Sequence, residues 1–219
     1  MWYTCITFYM MDSVHVKEGS DLDKNKPACM EKAAQVMRII TAPPFMIAAL
    51  LLVLGLIPIG FYTGITDQCV AWIGLVLLPL LAYPLHYIIP ELRKTGREGQ
   101  RKTAFIFSLV GYVMCFAYSF YTASEKLKFV FFVYFFTVVL LTVMNKLLHI
   151  RASGHAASAI SPCVFSGLYA GTWSCLLFGA VFLLSIWSSL YLKRHKPSDI
   201  TSGVCAFGLA LLLSYWILC

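Results

Sequence analysis

The 219 residues carry 17 Lys and Arg against 10 Asp and Glu, a net charge of +7, in a chain that is 60% apolar and only 12% charged. A soluble core of this size has no use for so much apolar surface, so the mean hydropathy of +0.78 excludes an ordinary water-soluble domain. The positive balance fits loops beside anionic headgroups of membrane lipids and not nucleic-acid binding.

Residues 1–44 stand apart as an N-terminal polar segment, ahead of a membrane domain over 45–219. Met1–Met11 is apolar and aromatic but too short to span, and it lacks the charged start of a signal peptide. Asp12–Pro27 is polar and mixed in charge, which predicts disorder. Ala28–Ile40 has the spacing of a short interfacial helix, stopped by Pro43 and Pro44.

A span needs roughly 20 apolar residues. Seven stretches qualify as candidates: Phe45–Ile65, Cys69–Ile89, Thr103–Ala123, Phe129–Leu148, Ala156–Gly171, Trp173–Leu192 and Ile200–Leu218. Backbone groups in lipid must bond internally, so the expectation is an all-α, polytopic helical bundle of about seven spans in one domain. Pro79 and Pro84 predict a bend in the second span, and His86 reads as a helix-end or packed histidine. The segment from Glu91 to Lys102 reads as a solvated cytoplasmic loop, with a substrate-facing role for Arg101 left open. The eight cysteines stand singly and read as small core residues, neither a disulfide framework nor a metal site.

The chemistry gathers in two places. Asn145, Lys146, His149 and Arg151 close the fourth span, and Ser153-Gly154-His155 follow at once. Ser153 is a natural N-cap, and a helix N-terminus flanked by Arg151 and Lys146 attracts anions. The second place is Lys193-Arg194-His195-Lys196-Pro197-Ser198-Asp199, where Asp199 is the only carboxylate side chain after Glu125. If the fifth and sixth spans form a hairpin through Gly171-Thr172, His195 and Asp199 return to the level of Ser153 and His155. Cations, a nucleophile and an acid for the leaving oxygen would then share one pocket, as metal-independent phosphoryl transfer requires.

These residues resemble the type-2 phosphatidic acid phosphatases, which share a fold with vanadium haloperoxidases. The family's third motif, Ser-Arg-x5-His-x3-Asp, is similar to Ser188-Ser189, five residues, His195, three residues and Asp199; its second motif, Pro-Ser-Gly-His, is similar to Ala152-Ser153-Gly154-His155. The resemblance covers about residues 142–219. It implies that His195 is the nucleophile forming a phosphohistidine, that Asp199 orients its ring, and that His155 protonates the leaving oxygen. It also implies that Ser153 and Gly154 hold phosphate oxygens, with Arg151, Lys146 and Arg194 as the nearest cations. The third-motif arginine is Ser189 here, and the first motif, Lys-x6-Arg-Pro, has no clean counterpart around Lys146 and Arg151.

No metal and no cofactor are expected, since Mg²⁺ wants carboxylates and the only one nearby is better used on His195. A Zn²⁺ site on the two histidines and Asp199 is disfavoured by the surrounding cations. The substrate implied is a lipid phosphate or isoprenoid (di)phosphate, cleaved by water or transferred to another alcohol. The alternatives are a non-catalytic lipid-phosphate binder derived from the family and, less supported, a transporter. An integral protein of the cytoplasmic membrane is expected, and the basic 91–102 segment leans the site towards the cytoplasm.

Overall fold

In the computed structural model, residues 28–122 and 124–218 are described, and the expectations for Met1–Met11 and Asp12–Pro27 fall outside them. The first helix, α1 (Ala28–Ile40), keeps the bounds expected from its spacing, with Glu31 in its first turn and Arg38 in its last, as the helix dipole favours. Pro43 and Pro44 cannot continue it, yet their fixed φ suits a helix start. The chain therefore turns by 58° at Thr41-Ala42 and begins α2 (Pro43–Leu56).

Helix α3 runs over Ile65–Ile88. In place of a simple proline bend it carries a widened turn at Ile73–Leu77, where the Leu78 N–H reaches back to the Ile73 carbonyl. Pro79 follows immediately and supplies no N–H, so a looser turn ahead of it is the local way to absorb the missing bond. The segment from Glu91 to Lys102, expected as a loop, is helical instead: a short helical turn at Pro90–Lys94 leads into α4 (Gly96–Tyr118). With α5 (Glu125–Leu147), α6 (Gly154–Tyr169), α7 (Thr172–Tyr191) and α8 (Pro197–Leu218), the described residues form helices and their connections only. Ser124 caps α5 and Ser153 caps α6, each side chain accepting the N–H three residues on.

Among the described residues, four helices, α3, α5, α7 and α8, are long and apolar enough to cross a membrane, or five if the bent pair α1–α2 counts as one. The other stretches expected to span fall short for visible reasons. Helix α2 stops after 14 residues, just ahead of Pro58 and Gly60. The N-terminal third of α4 is polar, and α6 has only 16 residues.

Successive helices run up and down, which gives the molecule two distinct ends. At one end Asp67 is buried and accepts from the Thr63 N–H (2.9 Å), the Thr63 hydroxyl (2.6 Å) and the Tyr118 hydroxyl (2.9 Å). The core between the ends is aromatic: Phe116 stacks on Phe135 at 4.1 Å, and Phe131 and Phe165 are fully buried. Helices α3 and α4 approach most closely at Gly74 and Gly111, where a Cβ on Gly111 would sit 2.0 Å from the Gly74 carbonyl oxygen. Small residues permit such backbone contact between helices. The cysteines correct the sequence reading: Cys115 is buried, but Cys29, Cys69 and Cys205 are exposed. His86 is buried at the end of α3 near Gly99 of α4, a packed histidine as expected.

Candidate functional site

The expected hairpin is present. Helix α6 ends at Tyr169, Gly171 turns the chain at φ 96°, and α7 returns along α6. The start of α6, the end of α7 and the start of α8 therefore meet at the end opposite Asp67. Two contacts weld them. The Ser153 N–H donates to the Asp199 carbonyl at 2.8 Å. Gly203 lies so near Ser153 that a Cβ there would be 2.2 Å from the Ser153 carbonyl oxygen. The link into α6 is fixed as well, from the widened last turn of α5 at Val143–Leu147: there Asn145 Nδ2 donates to the Ala152 carbonyl and its Oδ1 accepts the Ala152 N–H, both at 3.1 Å. One amide side chain thus holds the peptide that leads into Ser153.

Behind these welds lies a cavity of about 330 Å³. His155 and His195 both line it, together with Ser153, Gly154, Arg151, Arg38 and Arg101. Its deeper wall is apolar and aromatic, with Pro79, Phe105, Tyr112, Tyr134, Val138 and Leu141. A cationic end beside an apolar flank is the shape of an amphiphile's binding place.

Asp199 is 4% exposed and its Oδ2 serves three neighbours. It accepts the Lys196 N–H at 3.2 Å, pairs with Arg151 Nε at 3.5 Å, and faces His195 Nδ1 at 3.6 Å. The last distance is ion-pair range, longer than a hydrogen bond, and His195 Nδ1 is buried with no hydrogen-bond partner. With Nδ1 turned to the carboxylate, Nε2 is the nitrogen left for chemistry. Burial holds His195 below the usual histidine range; Arg38, Arg101 and Arg151 push the same way, and Asp199 opposes them. The ring is therefore neutral, with a lone pair to give.

His155 Nε2 lies 3.1 Å from Ser185 Oγ on α7 and 3.4 Å from Thr41 Oγ1 at the α1–α2 bend. Thr41 gives its own proton to the Met37 carbonyl at 2.8 Å, so towards Thr41 the ring can only donate, whereas Ser185 can serve Nε2 in either role. Among the described residues, no three His, Cys, Asp or Glu side chains come together as metal ligands.

No family model, curated protein or solved structure matches the chain.

Of the residues singled out in the sequence, His155, His195, Ser153, Gly154 and Arg151 share the cavity, with Asp199 directly behind His195. Lys146 is exposed on the last turn of α5 and is not part of the lining, and Arg194 is likewise outside it. Ser189 is buried in α7, also off the cavity. Two further cations reach it: Arg101, whose substrate-facing role the sequence left open, and Arg38, which the sequence did not point to. Arg101 had a signal: Lys94 precedes it with six residues between, the spacing of the first motif without its proline. Lys94 itself is exposed and lies off the lining. Arg38 had none, because only packing of α1 against α7 carries it inward.

Proposed function

We propose that this protein is an integral-membrane phosphatase for a lipid phosphate or isoprenoid (di)phosphate, a divergent relative of the type-2 phosphatidic acid phosphatases, working through a phosphohistidine. The observation that carries the reading is that His155 and His195, distant in sequence, line one cavity with three arginines, and that a buried carboxylate backs only His195.

The chemistry balances in two steps. His195 Nε2 gives its lone pair to phosphorus as the ester P–O bond breaks, and the departing oxygen takes a proton from His155. Water then attacks the phosphohistidine, passing its proton to His155 while the N–P pair returns to His195. Asp199 supports the positive ring that forms, its 3.6 Å gap closing as charge develops. Arg101 and Arg151 face the phosphoryl oxygens. The proton that His155 hands to the leaving oxygen enters with the phosphate, bound as its monoanion. The lipid tail rests on the flank formed by Phe105, Val138 and Leu141.

This reading takes α2 to α8 as seven membrane-embedded helices, with the shorter ones completed by the loops at their ends. The site shares its end with the basic start of α4 and the end of α1, which favours the cytoplasmic side. The deciding experiment is phosphate release from a panel of lipid phosphates by the purified protein with EDTA present. His195→Ala and His155→Ala each abolish it; equal release by His195→Ala removes that residue as nucleophile. Phosphate binding without any turnover supports the non-catalytic binder, which the serine at 189 and the long His195–Asp199 distance favour.

A further inference from the structure

Arg38 is an anomaly until a ligand is considered. Its guanidinium Nη1 is buried and has no hydrogen-bond partner, although a buried cation is costly unless paired. It lines the cavity, and it lies close enough to both His155 and His195 to act on each electrostatically. Nothing about helix formation in α1 requires an arginine pointing inward. Lys32, on the same helix, is exposed as a solvated lysine should be.

The packing explains how it arrives. Ala34, Arg38 and Thr41 are spaced on one face of α1, and α1 lies against α7. Ala34 and Thr41 are fully buried, and on α7 Ser185, Ser188 and Ser189 are all 3% exposed or less. Small side chains on both helices let the backbones approach, and the one long side chain on that face is sent into the cavity. Thr41, one turn on, touches His155. Helix α1 is thus a wall of the site and not only an interfacial segment. Of the two other arginines on the lining, Arg151 is already engaged by Asp199.

We propose that Arg38 is a phosphate-binding residue: its guanidinium grips the oxygens of the phosphate held between His155 and His195. The proposal rests on the phosphatase reading above. The group recognised is a phosphate monoester or the terminal phosphate of a diphosphate, held by charge-assisted hydrogen bonds from a planar donor.

The test uses the full chain in detergent, with inorganic phosphate as the binding probe and a short-chain lipid phosphate for kinetics. Arg38→Gln weakens phosphate binding and raises KM by at least tenfold, on the order expected for one lost charged hydrogen bond. Its unliganded melting temperature stays the same or rises, because a buried guanidinium nitrogen without a hydrogen-bond partner has been removed. A purely structural arginine would lower it. Arg38→Lys recovers part of the affinity, and Lys32→Gln changes neither binding nor KM. Wild-type phosphate affinity and KM in Arg38→Gln, with turnover intact, overturn the assignment and leave the phosphatase reading standing. A drop in melting temperature with no recovery in Arg38→Lys also overturns it, in favour of a packing role. A wild-type protein that neither binds nor releases phosphate overturns both.

Discussion

Replacing Gly203 by alanine tests the weld between the two halves of the site. The added Cβ would lie 2.2 Å from the Ser153 carbonyl oxygen, 3.0 Å from its carbon and 3.2 Å from its nitrogen. All three are backbone atoms that no rotamer change can move. An ordinary carbon–oxygen contact needs about 3.3 Å, so α8 and the Ser153 segment must separate by about 1 Å. Overpacking of this kind costs about 1–3 kcal/mol. The same displacement strains the 2.8 Å bond from the Ser153 N–H to the Asp199 carbonyl. It also carries His195 and Asp199, at the head of the same helix, away from His155. A misplacement of about 1 Å at reacting groups is worth about 100-fold in rate. Two assays read this: thermal unfolding of the purified protein and phosphate release from the best substrate. Gly203→Ala lowers the melting temperature and cuts kcat far more than it changes KM. A variant that melts with the wild type and turns over at full rate refutes the claimed contact and the convergence built on it.

The pH dependence follows from His195. Its folded pKa is lowered, chiefly by burial and then by Arg38, so the neutral ring, the nucleophile of the proposed mechanism, persists below the ordinary value of about 6.5. The acid limb of kcat/KM against pH therefore falls below that value, and Arg38→Gln moves it upward. For stability the sign is the same: the contribution is full above about pH 6.5 and is lost as pH falls towards the folded pKa, because only the unfolded chain protonates in that window. Asn145→Ala removes both hydrogen bonds to Ala152 and costs about 1–3 kcal/mol in unfolding free energy, with loss of turnover. Asp67→Ala leaves the Thr63 and Tyr118 donors unpaired at the far end and lowers the melting temperature. It leaves KM alone.

Much of this arrangement was legible in local sequence. Ser153 had to cap a helix, Gly171 could only turn one, and the two facts together bring His195 back to His155. The helix positions followed from apolar run length. What escaped depends on tertiary contact. Ala34, Arg38 and Thr41 look like the mixed face of an amphipathic helix, and nothing local says that this face meets serines of α7. Lys146 and Arg194 were adjacent to the motifs in sequence, but helical geometry sends a neighbour in the chain around the helix surface, away from the cavity. Apolar counting also ran Phe45–Ile65 together, although Pro58 and Gly60 interrupt it. Three cysteines expected inside are exposed, since a helix whose outer surface faces hydrocarbon has no reason to hide a thiol.

On the proposed phosphatase reading, the apolar flank of the cavity, from Pro79 through Phe105 to Leu141, sets how substrate is delivered. A molecule whose tail stays on that wall reaches the histidines by sliding within its leaflet, never passing through water. Turnover then tracks the mole fraction of substrate among the surrounding amphiphiles, and diluting it with inert detergent slows the reaction even when its molarity is held constant.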